Sequence, residues 1–164
     1  MKDRSLAIYA FVAVIGVVLD QWIKWLVETH LAMHEMVDIL PFLALYRTYN
    51  TGVAFSMFSW VGDRGLIAVS LAVIALVIYL ALRSSPTQII ARTGFALIVG
   101  GAIGNLIDRA IHGHVIDYIL FHTPVWSFAV FNLADAFISI GAVAVVLDEF
   151  FGGRREKTIA PSGD

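Results

Sequence analysis

The sequence contains no cysteine and little charge. Without a thiol there is no disulfide, no zinc–thiolate site and no cysteine nucleophile. Charged side chains fill 15% of the 164 positions, where an ordinary soluble domain has about 25%. The 11 basic and 13 acidic residues give a formal net charge of −2, so the basic excess of a nucleic-acid binder is missing. What is abundant is apolar surface, at 59% of residues. A disordered chain does not have that composition, and a soluble globule this small could not hide it. The sequence reads as one integral membrane domain over residues 1–164.

Four apolar stretches reach the roughly 20 residues a membrane-spanning helix needs. They run over about 5–27, 65–83, 93–111 and 125–151. Each is apolar all round, so length, not periodicity, identifies the helix. The first is too long for the apolar region of a cleavable signal. It ends in Asp20, Gln21 and Lys24 without a small-residue cleavage site, so it is expected to be retained.

The distribution of Lys and Arg sets orientation. Lys2, Arg4, Arg83, Arg92, Arg154, Arg155 and Lys157 fall on one side if the helices alternate. The other side has Arg47 and Arg64 in its loops. Both termini are therefore expected in the cytoplasm, with an outer segment over about 28–63 and a short outer loop over about 112–124. Ser84-Ser85-Pro86-Thr87 reads as a plain turn. Leu43 to Phe58 reads as partly extended, and its aromatics place it at the membrane surface.

Ionisable groups inside spans are costly and are usually functional. Here they gather at the outer helix ends. Asp20 and Lys24 are four apart on one face of the first span. Asn105, Asp108 and Arg109 close the third. Asn132 and Asp135 open the fourth, three apart, with Asp135 about 10 Å below the outer boundary by helix rise. Asp117 falls in the short outer loop. Each has a plainer reading. Asp20 and Lys24 read equally well as a surface ion pair. Asn105 reads as a bond between helices, and Gly100 with Gly104 as close helix packing. Asp108 next to Arg109 reads as a neutralising pair, and Asp117 as a solvated loop acid. Asp135 has no basic neighbour in sequence and resists such a reading.

No nucleophilic serine arrangement stands out. His30 with His34, and His112 with His114, do not match H-E-x-x-H, so no metal site is expected. Two aspartates remain as candidate chemistry. Sharing one proton, one activates water while the other polarises a carbonyl. Asp117 and Asp135 are 18 residues apart and meet if the intervening loop folds back.

Five ordered blocks carry a resemblance. They are Asp20-Gln21-Trp22-Ile23-Lys24, Asn50-Thr51-Gly52-Val53-Ala54-Phe55, the run from Gly100 to Arg109, Gly113-His114-Val115-Ile116-Asp117-Tyr118, and Phe131-Asn132-Leu133-Ala134-Asp135. Over about residues 15–140 the chain resembles the bacterial lipoprotein signal peptidases, or signal peptidase II. The resemblance implies an all-α membrane fold: four transmembrane helices with a small extracytoplasmic β-rich cradle and a surface helix. It implies an aspartyl endopeptidase of the inner membrane that removes signal peptides from prolipoproteins, cutting before the diacylglyceryl-modified cysteine. Carried over, Asp117 and Asp135 are the catalytic dyad. Asp20, Lys24, Asn50, Gly52, Asn105, Asp108, Arg109 and Asn132 match its other motif positions, as substrate-binding or site-supporting residues. Ile23, Ile116 and Tyr118 depart from commoner residues without touching either dyad carboxylate. The expected partners are lipid-modified prolipoproteins and membrane lipid. No cofactor, no metal and no nucleic acid are expected, and one chain supplies every motif, as a working monomer would.

Two rivals belong to other classes. A small ion or proton conductor also puts acids in spans, but it needs polar groups through the whole thickness or an oligomeric pore. An assembly subunit could use Asp and Lys to dock partner helices, and would not need Asp117 and Asp135 as intact acids.

Overall fold

A computed structural model describes residues 2–52 and 62–159. Its elements in chain order are α1 (Lys2–His30), β1 (Met36–Leu40), β2 (Leu43–Asn50), α2 (Gly62–Arg83), α3 (Ile89–His112), β3 (Val115–Thr123), β4 (Trp126–Ser127) and α4 (Leu133–Ile159). Three helices are long and apolar enough to cross a membrane: Leu6–His30, Arg64–Arg83 and Ile89–His112. Their outward faces are apolar, as at Phe11, Val18 and Trp22 of α1 and Val69, Leu76 and Tyr79 of α2. Such faces suit lipid and not water. The turn between α2 and α3 falls at the Ser84–Thr87 segment, as its composition predicts.

α3 is the centre of the bundle, packing on α1, α2 and α4. Small residues let it do so. A Cβ on Gly100 would stand 2.8 Å from the Ala13 carbonyl oxygen, so α1 and α3 approach backbone to backbone there.

The four strands form one antiparallel sheet in the order β1-β2-β3-β4. β2 pairs with β3 so that Thr48 stands opposite Asp117 and Asn50 opposite Val115. Below the sheet, Val27 and Leu31 of α1 pack on Ile116 and Tyr118 of β3. This small core ties the sheet to the end of α1.

Two expectations are corrected. The fourth apolar stretch does not start a helix at residue 125. Val125 is 95% exposed at a hairpin tip, β4 follows, and α4 begins at Leu133. Asp135 therefore sits in the first turn of its helix, not two turns down it. The surface helix expected from the resemblance falls partly on residues 53–61, outside the described residues.

Candidate active site

Asp117 is not in a solvated loop. It lies on β3 and is 2% exposed. Strand pairing puts it beside β2, and Asn50 at the end of β2 reaches it: Asn50 Nδ2 donates to Asp117 Oδ2 at 3.0 Å. Asn50 is itself braced, because its Oδ1 accepts the Gly52 N–H at 2.9 Å. Gly52 has φ of +80°, and a Cβ there would strike the Leu66 side chain. Glycine fits that left-handed turn without strain.

Asp135 arrives by a fold-back of the chain after β4. Phe131 exchanges two backbone hydrogen bonds with Ile119, at 2.7 and 3.0 Å, and its carbonyl also accepts the Tyr118 N–H. Asn132 is thereby delivered next to Asp117, and Asn132 Nδ2 donates to Asp117 Oδ1 at 2.6 Å. Asn132 also opens α4. Its Oδ1 accepts the Asp135 N–H at 3.0 Å, while Asp135 Oδ2 accepts the Asn132 N–H at 3.3 Å. This reciprocal pair is a capping box, in which each side chain satisfies the other's backbone donor. The second Asp135 oxygen accepts from Asn105 Nδ2 at 2.8 Å.

The rest of the first turn of α4 is held by the same layer. The Leu133 N–H donates to the Tyr118 hydroxyl at 3.2 Å, and the Ala134 N–H to Asp20 Oδ1 at 3.0 Å. Helix N-termini leave unpaired donors that must be satisfied. Here a tyrosine, an aspartate and an asparagine from three elements satisfy them.

Behind this lies a buried ionic group. Lys24 Nζ is 2.8 Å from Asp20 Oδ2 and 2.7 Å from Asp108 Oδ2, with both carboxylates at most 1% exposed. The surface-pair reading of Asp20 and Lys24 is therefore wrong. So is the pairing of Asp108 with Arg109: Asp108 faces Lys24, and its Oδ2 also accepts the Ile116 N–H at 3.2 Å. Gly104 makes room for this group, since a Cβ there would stand 2.5 Å from Asp20 Oδ2. Its small-residue character thus serves the ionic group as well as helix packing.

Arg109 is the predicted residue least integrated into the layer. Its Nη1 donates to the carbonyl of Asn105 in its own helix at 3.3 Å. Its Nε is buried with no hydrogen-bond partner among the described residues. Gln21 is the residue that sequence reading overlooked. Its Nε2 bonds Asp108 Oδ1 at 2.8 Å and the Gly104 carbonyl at 3.2 Å, closing α1 onto α3. Its place between Asp20 and Lys24 was the available signal.

Asp117 and Asp135 thus stand in one electrostatic neighbourhood. Burial raises the Asp117 carboxyl from 3.8 to about 6, opposed by the Asn50 amide and assisted by the charge of Asp135. Burial also lifts the Tyr118 hydroxyl well above its ordinary value, so it remains a phenol at neutral pH. Asp135 is half-buried where Asp117 is enclosed, so the pair has an open side. Among the described residues no group of three or more His, Cys, Asp and Glu side chains is placed to hold a metal ion.

Apolar helices closing on a polar, carboxylate-bearing layer define a class, the integral membrane proteins built around a buried carboxylate site. Two solved structures share the fold. A bacterial membrane enzyme determined by the in meso method at 1.9 Å resolution has a TM-score of 0.77 at 24% identity, covering 86% of this chain and 91% of that one. Another, at 2.3 Å resolution, has a TM-score of 0.80 at 21% identity, covering 96% and 94%. Within that class, the family model described as signal peptidase (SPase) II matches residues 12–151, and the chain belongs to this family of aspartic-type peptidases. A protein of Mesorhizobium japonicum named lipoprotein signal peptidase is 65% identical over 157 residues, 96% of this chain and 94% of that protein. One of Brucella ovis with the same name is 57% identical, covering 96% and 98%.

Proposed function

We propose that this chain removes signal peptides from prolipoproteins in the bacterial inner membrane, cutting before a diacylglyceryl-modified cysteine, with Asp117 and Asp135 as its catalytic dyad. The observation that carries the assignment is Asn132. One side chain caps Asp135 and donates to Asp117, so the two carboxylates are built as a pair. Family membership supplies the reaction class.

The chemistry follows from the pair. One aspartate takes a proton from water as its oxygen attacks the scissile carbonyl carbon. The other gives its proton to the departing amide nitrogen as the C–N bond breaks. Two neighbouring carboxyls titrate as one coupled system, so the singly protonated pair is the active form. Asn50, Asn105 and Asn132 keep the carboxylates in register, Asn50 also braces the turn at Gly52, and Arg109 is read as a substrate-orienting or loop-bracing group. No cofactor takes part in this scheme.

We further read α4 as a fourth crossing. Its 19 residues from Leu133 to Phe151 rise about 28 Å, close to the roughly 30 Å of a bilayer core. Ile140, Val143, Val146, Leu147 and Phe150 present apolar surface along it. With the Lys and Arg bias, both termini lie in the cytoplasm and the dyad faces outward. The lipid chains of the substrate then stay in the outer leaflet while its signal helix lies against the bundle. A single chain holds the whole site, so a monomer suffices.

The test is cleavage of a diacylglyceryl-modified prolipoprotein by the purified protein in detergent. Asp117→Asn and Asp135→Asn keep size and remove the titrating proton. Each folded variant is expected to lose roughly 10²–10⁴-fold in rate, the usual worth of an acid–base group. Normal cutting by both variants sinks the dyad assignment.

A further inference from the structure

Lys24 touches neither dyad carboxylate in the hydrogen-bond network, yet its side chain is only 2% exposed. Its ammonium contacts Asp20 Oδ2, Asp108 Oδ2 and, at 2.9 Å, Asn105 Oδ1. An ammonium has three donors and no acceptor, so these three oxygens use it completely.

The contact with Asn105 has a directional consequence. The two ends of a side-chain amide are alike in shape but opposite in hydrogen-bonding role. A donor-only neighbour admits only the oxygen. With Oδ1 turned to Lys24, Asn105 Nδ2 points at Asp135 Oδ1. The same Asn105 oxygen accepts from Asn132 Nδ2 at 3.2 Å, and that nitrogen also donates to Asp117. Turned over, the amide would set its NH₂ against the ammonium and against Asn132 Nδ2. It would also set its oxygen against the Asp135 carboxylate. Unpaired or opposed polar groups at buried sites are costly.

We infer that Lys24 is a positioning residue for the dyad: its ammonium fixes the polarity of the Asn105 amide, and through that amide the donors to both Asp135 and Asp117. The inference rests on the dyad reading given above. Asp20 of α1 and Asp108 of α3 hold the cation in place. Asp117 and Tyr118 of β3 and Asp135 of α4 are the other titratable groups in this layer.

The rival role for Lys24 is that of a counter-ion that merely neutralises two buried acids. Lys24→Met alone leaves those acids unpaired, and loss of a partner from a buried pair is strongly destabilising. The triple variant Asp20→Asn, Lys24→Met, Asp108→Asn removes the cation and both acids together. All are assayed on the lipidated substrate in detergent, with kcat and KM followed across pH beside thermal melts. The triple variant is expected to fold and to lose about 100-fold in kcat, as for a misplaced catalytic group, with KM nearly unchanged. Where Lys24→Met alone folds, the limb of its pH–rate profile near pH 6 is expected at higher pH, because Lys24 lowers the Asp117 carboxyl. A folded triple variant with wild-type kcat overturns the inference, whether or not Lys24→Met alone folds. Asp117→Asn and Asp135→Asn run in parallel separate the two failures. If they are inactive while the triple variant is normal, only the role of Lys24 falls. If they cut normally, the dyad reading falls first.

Discussion

At the scale of single residues, Asp117 is a carboxyl whose site works against its charge. Burial disfavours the ionised form, and the Asn50 and Asn132 amides offset part of that cost. The sign of the pH dependence follows. Below about pH 4 the group is protonated in both folded and unfolded chains, and nothing is lost. As pH rises through about 6 the folded protein must hold a charge that the unfolded chain solvates freely, so stability falls. The rise from 3.8 to about 6 is worth roughly 3 kcal/mol at most by linkage. Asp117→Asn is therefore expected to melt progressively higher than wild type as pH rises from 4 toward 7, and to level off above. Thermal melts in detergent at matched ionic strength check this. A difference that stays constant over that range would mean that Asp117 titrates as it does in water. The same displacement is expected to put one limb of the coupled pair's cleavage profile near pH 6, and Asn50→Ala, which removes the lowering amide, is expected to shift that limb upward.

At the scale of elements, the N-terminus of α4 is both a structural joint and half of the site. Loss of an N-cap costs about 1 kcal/mol on average, so Asn132→Ala is expected to give a folded protein with a modestly lower melting temperature. Its cleavage rate is expected to fall much further than that, because the Asp117 carboxylate loses a donor and the Asp135 N–H loses its side-chain acceptor. Parallel loss of rate and melting temperature, with activity restored at lower temperature, would reduce Asn132 to a cap alone. This joint was only partly legible in sequence. Asn132 and Asp135 show the three-residue spacing of a capping box, but the apolar run Val125-Trp126-Ser127-Phe128-Ala129-Val130-Phe131 reads by hydropathy as the start of a span. Those residues instead form β4 and the return beside β3, where bulky residues suit extended backbone as well as lipid. The first three helices were legible because length alone identifies them. The burial of Asp117 was not, since a carboxylate in a short link between spans is ordinarily solvated. The Lys24–Asp108 pair was also hidden. Spacing within one helix predicts partners on that helix, and the second acid comes from a helix over 80 residues away.

At the scale of the whole molecule, α3 measures the distance between the two ends. Its 24 residues rise about 36 Å, enough to separate the α2–α3 turn from the sheet that carries Asp117. In the orientation proposed from the Lys and Arg bias, that turn lies in the cytoplasm and the sheet outside. The absence of cysteine makes the assignment directly readable, because any introduced thiol is the only one in the chain. Val125 at the β3–β4 tip is 95% exposed, and Thr87 in the α2–α3 turn is exposed as well. Neither enters the dyad network, so Val125→Cys and Thr87→Cys are expected to keep cleavage activity. A membrane-impermeant maleimide added to intact spheroplasts is expected to label Val125→Cys and to leave Thr87→Cys unmodified until the membrane is opened. The reverse pattern would put the dyad on the cytoplasmic face, where a translocated lipid-modified substrate could not reach it. Labelling of both thiols in sealed spheroplasts would mean that α3 does not cross the bilayer. With the expected pattern, the carboxylate pair lies at the outer surface, with Asp135 the more exposed of its two members.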